Sequence, residues 1–200
     1  IDAGNPVADV LLIADTVTLE RMKQAGQLLA HKSAEAKNID ASLYDADGYY
    51  YSTKLITTGI MYNTQAAMKP VSWKDLEKPE AKGLVTMPSP LTSGAALIHA
   101  QTIAGVPSLG WDYYKALAAN GAIAAGGNGA VLKSVASGEK AYGVVVDYMP
   151  IREKAKGAPI EFIFPEEGVS AVTEPVGILA HTKHADAAKK FVDYVLSTKG

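Results

Sequence analysis

Hydroxyl groups and a glycine stand where an apolar helix begins, in the stretch MPSPLTSGAALIHA at residues 87–100. Thr92, Ser93 and Gly94 follow a strand end, and Ala95 opens the apolar run. The first N–H groups of a helix lack intrahelical acceptors and carry a partial positive charge. Such a corner can bind a phosphate or a carboxylate. The alternative is ordinary capping of the helix by Thr92 or Ser93, and this stretch alone favours capping.

Three further corners have the same character. Their polar residues, each pair at a junction of strand and helix, are Asp15 and Thr16, Asn128 and Gly129, and Asp147 and Tyr148. In open α/β sheets ligands bind at the carboxyl ends of strands, so all six are candidate ligand-binding residues. The alternatives are helix capping by Asp15 and Thr16, a flexible turn around Asn128, and a solvent-exposed strand end at Asp147.

Motifs for catalysis are missing from the sequence. It contains no GxSxG, no HExxH and no P-loop. We expect His99, inside an apolar helix, to be structural, and His181 and His184 to lie at the surface. With His31 these are the four histidines, and their spacing suggests no Ser-His-Asp set. The sequence therefore predicts no catalytic residue and no cofactor.

The composition limits the classes of partner and site. Hydrophobic residues make up 48% of the 200 residues, which is enough for a sizeable core. The net charge of -2 gives no basic surface for nucleic acid. No apolar run approaches the ~20 residues that a membrane helix needs. The absence of cysteine excludes disulfides and thiolate metal sites.

Strands and helices alternate along the chain, which predicts an α/β fold with mostly parallel sheets flanked by helices. Examples are the strand ADVLLIA before the helix TLERMKQAGQLL, and the strand AYGVVVDYM. The final helix, HADAAKKFVDYVLST, is predicted to bury Ala187, Phe191, Tyr194 and Val195.

Over nearly its whole length the chain resembles the periplasmic solute-binding proteins of bacterial ABC importers, in particular their ferric-iron and phosphonate or organophosphate branch. The order and spacing of five stretches carry the resemblance: NPVADVLLIADTVTLERMKQAGQLL, TGIMYNT, SWKDLEKPEAKGLVTMPSPLTSGAAL, GGNGAVLKSVASGEKAYGVVVDYM and PVGILAHTKHADAAKKFVDYVLSTKG. The resemblance implies two α/β lobes with ligand in the cleft between them. We expect residues 1–83 and 166–200 to form the first lobe and residues 84–165 the second. The chain would cross between the lobes near 84–90 and 164–168.

The resemblance also indicates which ligand to expect. Iron-binding members have two adjacent tyrosines where this chain has Tyr148 and Met149, and a glutamate where it has Ala14. Ferric iron prefers hard anionic oxygen ligands, which methionine and alanine do not supply. If the register differs by one residue, Asp15 takes the place of the glutamate. Tyr148 is the one metal ligand that the alternative, ferric-iron binding with a companion anion, retains.

The anion-binding half of the family's site is better preserved. Members hold an anion on a Ser-Gly-Ala helix start, here Ser93, Gly94 and Ala95, and on an asparagine, here Asn128. The resemblance thus implies a non-catalytic protein that captures a phosphonate, sugar phosphate or carboxylate and delivers it to a membrane permease. Asp147 would face an amine or hydroxyl groups of the solute. An α/β enzyme of unknown reaction is the further alternative.

The ends of the chain differ from those of family members. The sequence begins without methionine or signal peptide, and both ends look cut, so we expect an N-terminal segment of the fold to be missing. Members are exported, which implies a periplasmic location. Exposed sheet edges of a shortened first lobe would favour a dimer. Glu166 and Glu167 lie at the predicted second crossing. They either reach hydroxyl groups of the ligand or are surface charges of the hinge, and the second alternative is favoured.

Overall fold

The computed structural model describes residues 7–200. Asn5 and Pro6, with which the first stretch of the resemblance begins, lie outside the described residues. The strands are β1 (Val10–Leu12), β2 (Leu28–Leu29), β3 (Tyr50–Asn63), β4 (Val85–Met87), β5 (Ile123–Ala124), β6 (Tyr142–Val146), β7 (Ile160–Ile163) and β8 (Ser170–Leu179). The α-helices are α1 (Thr16–Gln24), α2 (Gly94–Ala104), α3 (Gly110–Ala119), α4 (Asn128–Ala136), α5 (Tyr148–Ala155) and α6 (Ala185–Leu196).

Short 3-10 helices complete the described elements, at Ala34–Asn38, Ala41–Leu43, Trp73–Glu77 and Pro79–Ala81. The alternation of strands and helices confirms the predicted α/β class. None of the helices within residues 7–200 combines the length and the apolar character needed to cross a bilayer.

The chain forms two compact units. The first contains the described residues up to Leu55 and those from Val172 onward, and the second contains Ile56–Ala171. The chain passes from the first unit to the second within β3 and returns within β8.

These boundaries differ from the predicted ones at 83/84 and 165/166, and the crossings near 84–90 and 164–168 are corrected accordingly. Residues 56–63 belong to the second unit because they pair with β6 and β7. Trp73 and Leu76 also belong to the second unit, because both are fully buried in its core. Ser170 belongs to the second unit as well, since its hydroxyl forms a hydrogen bond with the ring of His99.

In the first unit, β8 is the central strand. It pairs antiparallel with β1, where Val10 faces Ile178, and with β2, where Leu28 faces Leu179. Two clusters of buried side chains hold α1 and α6 to the strands. Their members are Leu19, Met22, Leu28 and Leu179, and Tyr51, Val176, Ile178, Ala188, Val192 and Leu196.

Helix α6 buries a different face from the predicted one. Ala188, Val192 and Leu196 are buried, whereas Phe191 and Tyr194 are 46% and 57% exposed. Both sets repeat at helical spacing and lie side by side on the helix. Periodicity therefore finds the helix but does not choose between two adjacent apolar stripes. The choice is made by Tyr51, Val176 and Ile178 of the first unit, which belong to one buried cluster with Ala188.

In the second unit parallel and antiparallel pairs are mixed. β3 pairs antiparallel with β6 and β7, whereas β4 pairs parallel with β5 and β6. Parallel pairing needs a crossover connection, and here α2 and α3 lie between β4 and β5 while α4 lies between β5 and β6. The expectation of mostly parallel sheets is corrected, since the described pairs of β1, β2, β3, β7 and β8 are antiparallel.

Helix α4 lies close against β6 because β6 contains Gly143. A Cβ at this position would come within 2.7 Å of Val131 Cγ1 and 3.1 Å of Val135 Cγ2. Val131 and Val135 are themselves almost completely buried. This tight packing fixes the start of α4, and with it Asn128, beside the carboxyl end of β6.

Candidate functional site

The start of α2 leaves two backbone donors available. Ser93 is the N-cap residue in an extended conformation, and its Oγ accepts a hydrogen bond of 3.3 Å from Ala96 N–H. Leu97 N–H bonds the Ser93 carbonyl at 3.0 Å. Gly94 and Ala95 supply the two remaining N–H groups of the first turn, which the geometry of a helix start leaves without an intrahelical acceptor.

Thr92 is not the cap that the sequence allowed it to be. Its hydroxyl instead donates to the carbonyl of Gly126 at 3.2 Å. The same carbonyl accepts from Ser89 N–H at 3.0 Å. Thr92 thus ties the loop before α2 to the loop before α4, and it frees Ser93 to act as the N-cap. Ser89 is a contributor that sequence reasoning missed, because its partner lies 37 residues later in the loop before α4.

Asn128 joins the two helix starts. It is the first residue of α4, whose N-cap Gly127 offers no side chain. Asn128 Nδ2 donates to Ser93 Oγ at 3.3 Å, and Asn128 Oδ1 accepts from Val146 N–H at 3.2 Å. The side chain therefore links the α2 cap, the α4 start and the end of β6 in one network.

The N–H groups of Asn128 and Gly129 stand at the first two positions of α4, where no intrahelical acceptor reaches them. Ala130 and Val131, the next two residues, both bond the carbonyl of Gly127. We call the corner formed by Ser93, Gly94, Ala95, Asn128 and Gly129 the anion cradle. It brings together five of the residues that the sequence predicted.

The chemistry of the anion cradle is that of neutral donors. Two helix starts contribute partial positive charge at one place, each equivalent to roughly half a charge. The side chains of the cradle are a hydroxyl and an amide, and neither titrates. The N–H groups of the cradle can donate hydrogen bonds to a tetrahedral or planar oxyanion, and the cradle supplies no group that could act as general base or nucleophile.

Asp147 and Tyr148 lie at the predicted strand end, but Asp147 is engaged within the protein. Its Oδ2 accepts from Thr57 Oγ1 at 2.6 Å and from Thr57 N–H at 3.1 Å, and its Oδ1 accepts from Tyr148 N–H at 2.6 Å. Its own N–H donates to the Thr57 carbonyl at 2.9 Å. Thr57 is the partner that the sequence did not reveal, because 90 residues separate it from Asp147. The Tyr148 side chain is 41% exposed.

Asp15 and Thr16 lie in the first unit and form a capped helix start. Asp15 Oδ1 accepts from Val17 N–H at 2.9 Å and from Thr18 N–H at 3.3 Å, and its second oxygen accepts from the Thr18 hydroxyl. The capping alternative for Asp15 is therefore what the structure shows. The Thr16 hydroxyl lies 3.1 Å from that of Thr173.

Two residues outside these corners, His99 and Glu167, have structural roles. His99 is buried, its Nδ1 lies 3.0 Å from Ser170 Oγ, and its ring packs 4.7 Å from that of Trp73. Burial lowers the pKa of His99 to about 4, so it is neutral at physiological pH. Glu167 accepts from the Ser72 hydroxyl and from Trp73 N–H at 3.2 Å, so it caps a 3-10 helix and is not a loose surface charge.

Metal-ligating side chains do not cluster in the part of the chain that the structure describes. Within residues 7–200, no group of three or more His, Asp or Glu side chains could hold an ion. Met149 and Ala14 are the residues that the iron alternative would need to replace.

A narrow pocket lies beside the anion cradle in the second unit, with about 20 Å³ open to the centres of water molecules, which is room for about one water. Ala96 and Asn128 line it on the side of the cradle, and Ala100 and Tyr114 line it farther along α2 and α3. This pocket could not be predicted from the sequence, because its walls come from separate elements of ordinary apolar composition.

Comparison with known proteins identifies the family of the chain. The chain matches the family described as bacterial extracellular solute-binding protein over residues 5–200. It is 30% identical to an uncharacterized protein of Haemophilus influenzae, covering 100% of this chain and 61% of that protein. It is 24% identical to the probable ABC transporter periplasmic-binding protein y4fP of Sinorhizobium fredii, covering 96% and 57%.

Solved structures of periplasmic proteins have the same fold. The chain aligns with AfuA from Actinobacillus pleuropneumoniae, solved with exogenous fructose-6-phosphate bound, at a TM-score of 0.86 and 26% identity over 98% of this chain and 65% of that one. It aligns with the apo ferric ion-binding protein A of Pasteurella haemolytica at a TM-score of 0.77 and 25% identity over 97% and 66%. The chain thus spans about three fifths to two thirds of the length of these relatives.

Proposed function

Since the chain belongs to the bacterial extracellular solute-binding protein family, we propose that it captures a small anionic organic solute for an ABC importer. The observation that carries the proposal is the Asn128 side chain, which joins the start of α4 to the Ser93 cap of α2. The phosphate, phosphonate or carboxylate group of the solute accepts from the N–H groups of Gly94, Ala95 and Gly129. AfuA, with its bound sugar phosphate, is the relative that this proposal follows.

The charges of the anion cradle support an anion over a cation. Helix N-termini stabilise negative charge and repel positive charge. Ser93 and Asn128 add no charge of their own, so nothing in the cradle competes with the solute for the N–H groups. Asp147, which is engaged with Thr57, faces an amine or hydroxyl groups of the solute and not its anionic group, since like charges repel.

The role in transport follows from the relatives. The protein passes the bound solute to the membrane permease of the importer and works in the periplasm, as the relatives named for periplasmic binding do. It carries out no bond chemistry. The other predicted partner is a second copy of the chain. Analytical ultracentrifugation distinguishes a dimer from a monomer by mass.

Ferric-iron binding is the second candidate, and two observations favour it. The ferric ion-binding protein of Pasteurella haemolytica shares the fold, and Tyr148 presents an exposed phenol at a strand end. A tyrosinate–iron complex is coloured. An iron-loaded sample with a visible charge-transfer band that Tyr148→Phe removes would favour this candidate over the anionic solute.

Calorimetry with inorganic phosphate and fructose 6-phosphate tests the proposal, with Asn128→Asp as the variant. Aspartate has the size of asparagine and suits a helix start, so the fold is retained. Its negative charge is expected to weaken phosphate binding by about tenfold or more. Asn38→Asp, an exposed site of the first unit, makes the same change in charge and should leave affinity unaltered. Absence of binding by the wild-type chain, or equal losses in both variants, would sink the proposal.

A further inference from the structure

The two helix starts of the anion cradle follow neighbouring strands. β4 and β5 pair in parallel, and hydrogen bonds between the two segments continue past the ends of both strands. Ala125 N–H donates to the Met87 carbonyl at 3.1 Å, and Ser89 N–H donates to the Gly126 carbonyl at 3.0 Å. The loop before α2 and the loop before α4 therefore leave the sheet side by side.

The Gly126 carbonyl lies where the two loops meet. It accepts from Ser89 N–H and, at 3.2 Å, from the Thr92 hydroxyl. A carbonyl oxygen has two lone pairs, so it can accept both bonds. The Ser89 carbonyl lies 3.4 Å from the same hydroxyl, which is the longer of the two contacts. The hydroxyl has one proton, and the shorter contact assigns it to Gly126.

The backbone at Gly126 connects this carbonyl to the start of α4. Its φ of +65° is one that glycine adopts readily and other residues rarely do. A Cβ at this position would come within 3.1 Å of the Ala130 Cβ. Gly127 and Asn128 follow directly, so the position of the Gly126 carbonyl is coupled to that of the first turn of α4.

Two hydrogen bonds made by side chains connect the loops at different points. One runs from Thr92 to Gly126, and the other runs from Asn128 to Ser93 at 3.3 Å. A single bond between two loops leaves them free to rotate about it, whereas two bonds at separate points restrict this rotation. An anion that accepts from both helix starts needs their N–H groups at a fixed separation. A site that is already held in its binding geometry loses less conformational freedom when the anion binds.

We propose that Thr92 is a positioning residue for anion binding. The proposal rests on the anion-binding function proposed above and deepens it. The Thr92 hydroxyl has its only proton on Gly126, so it offers the anion no donor. It acts through the Gly126 carbonyl instead, and it keeps the N–H groups of Gly94, Ala95 and Gly129 directed at one oxyanion. Without this bond the start of α2 and the start of α4 no longer bind the anion together.

Calorimetry with inorganic phosphate tests this role on the 200-residue chain with the variant Thr92→Val. Valine retains the branched shape and removes the hydroxyl, and the position is exposed, so the fold is retained. Phosphate affinity should fall about fivefold, which the loss of one hydrogen bond allows. Thr92→Ser retains the hydroxyl and should bind phosphate within about twofold of the wild-type chain.

Thr102→Val is the matched control. The Thr102 hydroxyl, which is also exposed, donates to the Ile98 carbonyl at 2.8 Å within α2 and connects no loops. The same substitution there should leave phosphate affinity within about twofold. If the wild-type chain binds phosphate and Thr92→Val binds it as tightly, or if both valine variants lose affinity equally, the positioning role is overturned while the anion cradle stands. If the wild-type chain does not bind phosphate, both proposals fall.

Amide shifts distinguish positioning from direct contact with the anion. At phosphate saturation, the shift of the Gly129 N–H signal is compared with that of the Gly94 N–H signal. In Thr92→Val the ratio of the Gly129 shift to the Gly94 shift should fall, because α2 supplies two of the three donors and retains the anion while the start of α4 moves away. The ratio should keep its wild-type value in Thr92→Ser and Thr102→Val. An unchanged ratio in Thr92→Val, with or without a loss of affinity, overturns the proposal.

Discussion

The corner before α1 in the first unit and the corner before α2 in the second both place an oxygen-bearing side chain at a helix start. Asp15 uses both carboxylate oxygens within its own first turn, on Val17 and Thr18. Ser93 uses one oxygen on Ala96 and shares it with Asn128. The first corner is negatively charged and satisfied, whereas the second is neutral and keeps donors available. An anion site therefore depends on which capping residue is present more than on the helix start itself.

The two units should also differ most strongly in their response to acid. His99, in the second unit, has a pKa of about 4 when folded against 6.5 as its ordinary value. The unfolded chain then binds more protons between these values, so stability falls as pH drops from 6.5 to 4, by up to about 3 kcal/mol.

The carboxylates of the first unit whose pKa is lowered, such as Asp193, lose their contribution to the free energy of unfolding only below about pH 4. Partial burial opposes ionisation of Asp193, but the bonds from Ser33 and His31 hold its pKa below the ordinary 3.8. Both tryptophans, Trp73 and Trp111, lie in the second unit. Tryptophan fluorescence should report urea unfolding at lower denaturant as pH falls from 6.5 to 4, and His99→Gln should flatten this dependence. A urea midpoint of the wild-type chain that does not change between pH 6.5 and 4 would contradict the role assigned to His99.

Exchange of the capping residues tests the comparison in binding. Ser93→Asp retains a good N-cap but places a negative charge in the anion cradle, so phosphate affinity should fall about fiftyfold, or by about 2.3 kcal/mol. The reciprocal Asp15→Ser should leave phosphate affinity within about twofold while retaining a cap. Calorimetry of both variants gives the answer. Equal effects of the two substitutions would show that the corners do not differ in the way inferred here.

The strand β3 offers a matched pair of hydroxyls, one in each unit. Thr57 Oγ1 bonds the carboxylate of Asp147 at 2.6 Å, and Thr53 Oγ1 bonds the neutral carbonyl of Glu174 at 2.7 Å. Bonds to charged groups contribute more, so Thr57→Val should cost about 2 kcal/mol in the free energy of unfolding and Thr53→Val about 1 kcal/mol. Urea denaturation measures both. A larger loss from Thr53→Val would reverse the ranking.

The smallest effect is expected from Asp15→Asn, which removes the charge of the first corner and retains the cap. Both residues are good N-caps, so the loss of stability should be about 0.5 kcal/mol or less. Inorganic phosphate affinity should stay within about twofold, whereas a solute with hydroxyl groups loses affinity if Asp15 is the ligand residue that we predict. Titration with phosphate and fructose 6-phosphate separates these contributions. A large change in phosphate affinity would assign Asp15 a direct part in anion binding.

Local features were predictable from the sequence, and long-range ones were not. The start of α2 at Ser93, the glycine-led start of α4 and the strand before Asp147 follow from caps, turns and apolar runs. The unit boundaries were missed because the pairing of residues 56–63 with β6 and β7 joins distant segments. The buried face of α6 was missed because two apolar stripes lie side by side.

The same distinction holds at the candidate site. The anion cradle residues could be named, but not the bond between Ser93 and Asn128, which are 35 residues apart. The partner of Asp147 and the role of Thr92 in tying two loops likewise depend on tertiary contacts.

Amide resonances provide the most direct test of the anion cradle. In a titration of the ¹⁵N-labelled chain with inorganic phosphate, the N–H signals of Gly94, Ala95 and Gly129 should shift downfield as they donate to the anion. The signals of Val17 and Thr18, which already donate to Asp15, should stay in place. Saturable shifts confined to other residues, with Gly94, Ala95 and Gly129 unmoved, would contradict the assignment of the anion site to these two helix starts.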